Sequence, residues 1–227
     1  MLRNNANSLI KRTSSTSFVE TNSVIRNTYI LLSMTLLFSA FTAFLSSVVK
    51  APFLGLAPTL LINFGLVYLV NTTKNSAWGI VAVFLFTGFF GFTLGPIVNM
   101  TLAHYANGSE LIATSLGLTG AIFFTLSCYA TLSRKDFSYL AGFLFAAFTI
   151  AFIAGLMTIF MNIPIMHLAV SSMFVLISSG MILFQTSQII NGGEKNYIMA
   201  TITLYVQIYN LFINLLQILS MFSGRRN

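Results

Sequence analysis

From Asn27 onward the chain is a series of long apolar runs broken by isolated charges, and the breaks predict the elements. Arg26 and Lys50 bracket the uncharged run 27–49, and a second run, 53–73, ends at Lys74. Each is close to the roughly 20 residues a helix needs to cross a bilayer core. A third span is predicted from Trp78 to about Met100, where the polar, turn-like stretch 99–109 ends it. Glu110 and Arg134 bracket a fourth, 111–133. The uncharged stretch 137–193 is too long for one crossing, and Asn162-Ile163-Pro164 is its strong break, which gives spans 138–161 and 165–190. The turn Asn191-Gly192-Gly193 leads to a seventh span, 197–222. Residues 1–26 read as a polar tail expected to lack regular structure, and 223–227 as a short basic tail. The pattern predicts an all-α integral membrane protein with seven transmembrane helices.

Composition excludes the soluble alternative. Of 227 residues 56% are hydrophobic and 7% charged, against about 25% charged in soluble domains, so the surface of a water-soluble core cannot be built. The net charge of +7 does not point to nucleic acid, because the basic residues are dispersed between apolar runs with no stripe or aromatic platform. Membrane lipid is the expected partner. Their distribution sets an orientation. Arg3, Lys11, Arg12, Arg26, Lys74, Arg134, Lys135 and Lys195 fall on one side and Lys50, Arg225 and Arg226 on the other, which predicts a cytoplasmic amino terminus and an external carboxyl terminus. The Arg225-Arg226 pair opposes this rule, and a re-entrant last segment is the alternative that would return it to the cytoplasm. The single cysteine, Cys128, permits no internal disulfide or cysteine metal cluster, and its apolar neighbours predict a packed thiol.

Polar residues inside the predicted spans are the candidate chemistry. Gln207, Asn210, Asn214 and Gln217 follow spacings that gather them within about an 80° arc of a helix. Span six carries Gln185, Thr186, Ser187, Gln188 and Asn191. Two readings stay open: interhelical hydrogen bonding, or a hydrated ion path along the last two helices. In span three, Gly88, Gly91 and Gly95 predict close helix contact and Pro96 a bend, and Gly117 and Gly120 in span four read as packing positions. His104, Glu110 and His167 are too far apart in sequence for a recognisable ligand motif. Trp78, Tyr29 and Tyr197 sit at span ends and read as headgroup anchors. No phosphate loop, serine elbow or buried acid pair is present, so no catalytic residue, metal or cofactor is expected.

Five segments carry a resemblance. They are Val24-Ile25-Arg26-Asn27-Thr28-Tyr29, Gly91 to Ile97, Leu132-Ser133-Arg134-Lys135-Asp136, Ile189-Ile190-Asn191-Gly192-Gly193-Glu194 and Tyr205-Val206-Gln207-Ile208-Tyr209-Asn210. In order and spacing the chain resembles the Bax inhibitor-1 family and, within it, the bacterial YccA branch, over nearly all of its length from Val24. The resemblance implies a bundle in which six helices surround a central last helix. It also implies a pore site where many members pair an aspartate on the sixth helix with one on the seventh. The matching positions are Gln185 and Gln207, which cannot ionise and offer a cation only a neutral carbonyl. The branch implies a multi-pass inner-membrane partner and modulator of the membrane protease FtsH, not an enzyme itself. On that reading the polar tail, with Arg12, Thr13, Ser14, Ser15, Thr16 and Ser17, is the segment the protease engages. The alternative is a Ca²⁺ or other cation leak with a non-titrating pore site.

Overall fold

Residues 1–50 contain neither glycine nor proline, so nothing in them forces a helix to stop. In the computed structural model, which describes residues 2–160 and 163–223, one helix, α1, accordingly runs Leu2–Val48, and its membrane-length part is Asn22–Val48. The tail expected to lack regular structure is therefore helical from Leu2. The side chains of 12–17 lie outside the described residues, as do residues 224–227 of the basic tail. Six helices follow: α2 (Leu56–Thr73), α3 (Trp78–His104), α4 (Gly108–Ser133), α5 (Leu140–Phe160), α6 (Pro164–Ile190) and α7 (Tyr197–Phe222). All seven are long and apolar enough to cross a membrane.

The bundle is polarised inside out relative to a soluble protein. Large apolar side chains such as Leu37, Phe64, Phe143, Phe145 and Leu176 point outward, while Thr28, Thr35, Ser39, Thr87, Ser115 and Ser178 are buried. Lipid tails are as apolar as leucine, so burial of leucine does not hold such helices together. Close packing and interhelical hydrogen bonds do. α7 is the central helix: half of its most apolar stretch is buried, against 6% in α2 and 11% in α5. It packs on α6, α4, α1 and α3, while α2 leans on α3 and α5 on α6 at the periphery.

Both ends of α7 are fixed. α6 stops at a left-handed glycine, Gly192 (φ 76°), where Gly193 N donates to Gln188 O at 2.8 Å and Gly192 N to Ile189 O at 3.4 Å, the paired bonds of a Schellman motif. Asn196 then caps α7. Its Oδ1 accepts from Ile198 N and Met199 N, while its Nδ2 donates to Lys74 O and Asn75 Oδ1, each at 3.0 Å, in the α2–α3 turn. At the other end Ser223 Oγ donates to Asn107 Oδ1 at 2.6 Å, in the α3–α4 turn. The α2–α3 and α3–α4 turns lie at opposite ends of α3, so α7, about 39 Å long, crosses the whole bundle. That geometry excludes the re-entrant alternative for the last segment.

The predicted glycine contacts in α3 are present and explain the pairing of α1 with α3. A Cβ at Gly91 would run into the Ser39 carbonyl and the Thr42 hydroxyl, one at Gly95 into Ser46, and one at Gly88 into the Phe38 ring. Pro96 adds a second reason for the contact. Having no N–H, it leaves the carbonyl of Phe92 without its helical donor, and Ser46 Oγ of α1 supplies one at 2.7 Å. Ser47 Oγ and Asn99 extend the seam, with Ser47 Oγ donating to Asn99 Oδ1 and Asn99 Nδ2 to Ser47 O.

Three expectations fail here. Gly117 and Gly120 have no neighbouring atom where a Cβ would stand. Cys128 is exposed. The buried face of α4 is Gly108, Leu111, Ser115, Thr119, Phe123, Ser127 and Ala130, and Gly117 and Gly120 lie off that stripe. Tyr29 is not a headgroup anchor. Its ring packs on the core beside Phe123, centroids 6.3 Å apart. Trp78 remains exposed at the start of α3.

Candidate functional site in the bundle interior

α7 carries two polar faces. Thr201, Tyr205 and Tyr209 recur every four residues, and at about 100° per residue the amides Gln207, Asn210, Asn214 and Gln217 lie on the opposite side of the helix. The hydroxyl face meets α1 and α3. Tyr205, 1% exposed, has its OH 2.6 Å from Ser39 Oγ of α1 and donates to Thr87 O of α3 at 3.1 Å. A phenol has one proton, so the Ser39 hydroxyl is the donor in their pair. One turn on, Tyr209 OH lies 3.0 Å from Thr93 Oγ1. The Thr93 hydroxyl already donates to Phe90 O, so Tyr209 donates here. Phe90 stands edge-on to both tyrosines, with centroids 6.0 Å and 4.7 Å away. Thr201 Oγ1 lies 3.3 Å from Thr28 O of α1 and also back-bonds to Tyr197 O.

The amide face is turned away from α1 and α3. Asn214 is buried, and Gln207, Asn210 and Gln217 are half-buried, so none of them stands open to lipid. Asn214 Nδ2 donates to Asn210 O at 2.7 Å, a bond within its own helix. On α6, Gln185 is 7% exposed and continues a buried line with Ser171 and Ser178, seven residues apart. Among the described hydrogen bonds none joins Gln185 to Gln207, so the two positions are not shown to act as a pair. Three buried hydroxyls of α4 and α6, Ser127 Oγ, Ser133 Oγ and Thr186 Oγ1, have no hydrogen-bond partner among the described residues, and neither do Thr28 Oγ1 and Tyr29 OH of α1. The interior beside α4, α6 and α7 therefore holds polar groups whose bonding capacity is not filled by protein.

Gln188 belongs to a different structure. With Ser187 and Asn191 it ties the end of α6 to the α4–α5 loop: Ser187 Oγ and Asn191 Nδ2 donate to Lys135 O, Phe137 N donates to Ser187 Oγ, and Gln188 Nε2 donates to Ser138 Oγ. Ser138 donates in turn to Asp136 through its hydroxyl and its backbone N–H, which hold the Asp136 carboxyl below the usual aspartate range. This network staples the loop that carries Arg134 and Lys135.

None of the chain's four acidic residues falls in the middle of a span. Glu20 lies in the tail, Glu110 in the first turn of α4, and Asp136 and Glu194 in loops. His104 is exposed, its Nδ1 on Met100 O, and His167 lies in the first turn of α6. The sequence reading found the amides and missed the hydroxyl face. A signal was present: tyrosine in a membrane helix favours the headgroup level, so two tyrosines in the middle of α7 imply buried hydroxyls with partners.

The family model described as inhibitor of apoptosis-promoting Bax1 matches residues 21–224, the whole helical bundle without most of the tail. The chain is 50% identical over 204 residues to the modulator of FtsH protease YccA from Escherichia coli K12, covering 90% of this chain and 92% of that one. The same identity and coverage hold for the inner membrane protein YccA of Escherichia coli O6:H1. An uncharacterised protein of Pseudomonas aeruginosa is 49% identical over 90% of this chain and 92% of its own. With the family model covering all seven membrane-length helices and relatives aligned almost end to end, the chain belongs to the Bax inhibitor-1 family.

Proposed function

We propose that this chain is a multi-pass protein of a bacterial inner membrane that binds the FtsH protease and modulates its action in membrane protein quality control. The observation that carries the reading is the 50% identity, across 90% of the chain, to a relative named as a modulator of that protease. The basic residues Lys74, Arg134, Lys135 and Lys195 sit in turns at the end of the bundle where the membrane-length part of α1 begins. The positive-inside rule makes that end cytoplasmic. The tail then lies on the cytoplasmic side, where a processive protease can grip it, and Arg12 to Ser17 form the engagement segment. Among the described residues the interior places no nucleophile beside a base, and on this reading the chain acts as a partner of the protease. The experiment is the half-life of the full chain and of a variant lacking residues 4–17, in cells with and without FtsH. The shortened chain is expected to persist longer only where FtsH is present. Equal half-lives in both backgrounds would remove the protease from the reading.

The buried amides favour a second reading, a cation leak along the α4, α6 and α7 interior. Gln185 and Gln207 cannot titrate, so such a leak would be flat between about pH 5 and 8. Calcium flux into liposomes holding the purified chain tests it, and Gln185→Asp with Gln207→Asp should introduce a pH dependence if the positions face one another.

A further inference from the structure

At the end of the bundle where α1 closes, two spaces share a wall. The outer one, open and about 580 Å³, is lined by Lys50, Phe53, Pro96 and Asn99. The inner one is more enclosed and about 120 Å³. Phe53 and Pro96 line it as well, and Thr59 of α2, Thr93 of α3 and Tyr209 of α7 are added. Tyr209 stands at the midpoint of α7, so the inner space reaches halfway along the central helix. Its chemistry is one-sided. Thr59 Oγ1 donates to Gly55 O at 2.7 Å, Thr93 Oγ1 to Phe90 O at 2.7 Å, and Tyr209 OH to Thr93 Oγ1 at 3.0 Å. A hydroxyl has one proton and two lone pairs, so all three protons are committed to protein while each oxygen keeps a free lone pair. An occupant must be small and must donate hydrogen bonds. Water meets both terms, since one molecule needs about 10–15 Å³ of such space and two to four polar partners. At the mouth, Lys50 is the one charged lining residue. Asn99 Nδ2 gives one N–H to Ser47 O, which leaves its other for solvent. Inward of Tyr209, Phe90 stands edge-on to both tyrosines and Phe86 packs on Phe90, so a layer of rings lies beyond the inner space.

We propose that the two spaces form a blind, water-filled funnel, entered past Lys50 and Asn99, narrowed at Phe53 and ending on the Tyr209 hydroxyl. It lies on the α2 and α3 side of α7, away from the amides, and its one charged residue disfavours cations. The funnel therefore stands or falls separately from a cation leak through the α4, α6 and α7 interior.

The test is the reactivity of a thiol placed in the inner space. Thiosulfonates react with the thiolate, and a thiol held in hydrocarbon stays protonated. On a Cys128→Ala background, which removes the native thiol, Thr93→Cys keeps the side-chain volume and puts the probe on the funnel wall. Thr59→Cys, on the α2 wall of the same space, is the substitute should that chain not fold. The reference is Phe44→Cys, at an exposed position of α1. It lies at the same depth, because Gly91 and Gly95 on either side of Thr93 meet Thr42 and Ser46 on either side of Phe44. The chains are reconstituted in lipid vesicles and treated with hydroxyethyl methanethiosulfonate, a small uncharged reagent that reaches both membrane faces, so the comparison is independent of orientation. Thr93→Cys is expected to react about a hundredfold faster than Phe44→Cys, the loss of thiolate when hydrocarbon raises a thiol's pKa by about two. Phe53→Ala should raise the Thr93→Cys rate severalfold and leave the Phe44→Cys rate as it was. Equal rates at the two positions would overturn the proposal. That result is also expected if an acyl chain enters past Phe92, which the inner space shares with the apolar groove along α1 and α3. A fast Thr93→Cys reaction indifferent to Phe53→Ala would overturn the entrance past Phe53.

Discussion

The two polar faces of α7 have the same helix beneath them and behave differently. On the hydroxyl face, Tyr205 and Tyr209 each bond across to another helix, with Ser39, Thr87 and Thr93 as partners. On the amide face, Asn214 bonds back into α7 itself. A phenol is long and rigid and carries its one donor at the tip, so in a close-packed interior it reaches a neighbouring backbone. A shorter amide finds its own preceding turn first. The hydroxyl face therefore joins α1, α3 and α7 into one body, while among the described hydrogen bonds the amide face has no comparable cross-link to another helix.

Disrupting the α1/α3 seam should give the largest effect, because it separates the two helices that the tyrosines bridge. Gly91→Ala pushes a methyl into the Ser39 carbonyl, and overpacking of this kind costs about 3 kcal/mol. A large drop in the midpoint of unfolding in detergent is expected. Next, Tyr205→Phe leaves Ser39 Oγ and Thr87 O without their partner and should cost about 1–2 kcal/mol by the same assay. The third effect is conditional. Ser46→Ala should cost about 1 kcal/mol in the native chain but almost nothing beside Pro96→Ala, because alanine restores the N–H that the Phe92 carbonyl lacks. Additive costs in that double-mutant cycle would mean that Ser46 is not acting as the substitute donor. Smallest of all, Asn214→Leu should change stability by no more than about 0.6 kcal/mol, the average for a polar contact between membrane helices. If it matched Tyr205→Phe, the two faces would have to be regarded as equivalent.

The same contrast explains what could be read from the chain. Charges located the helices because hydrocarbon excludes them, and so Lys50, Lys74, Glu110 and Arg134 fall at or just beyond helix ends. The amide stripe was legible because amides are rare in membrane spans. Hydroxyls are common there and most of them settle on the carbonyl one turn back, as Ser115, Ser172, Ser179 and Thr203 do. Residue type therefore could not single out Ser39 or Ser46, which reach across. Gly117 and Gly120 misled for a related reason. A small side chain permits close approach, but only the packing decides whether another helix makes it.

The Ser46–Phe92 bond also has a consequence for biogenesis. α3 cannot satisfy its own backbone, and in hydrocarbon an unpaired carbonyl costs several kcal/mol. Its donor lies on α1, which emerges from the ribosome first. When α3 enters the bilayer, the hydroxyl that completes it is already in place, so the proline that would impair α3 as an isolated span directs it to the right neighbour. Insertion order and helix pairing are in this way written into one residue without an N–H.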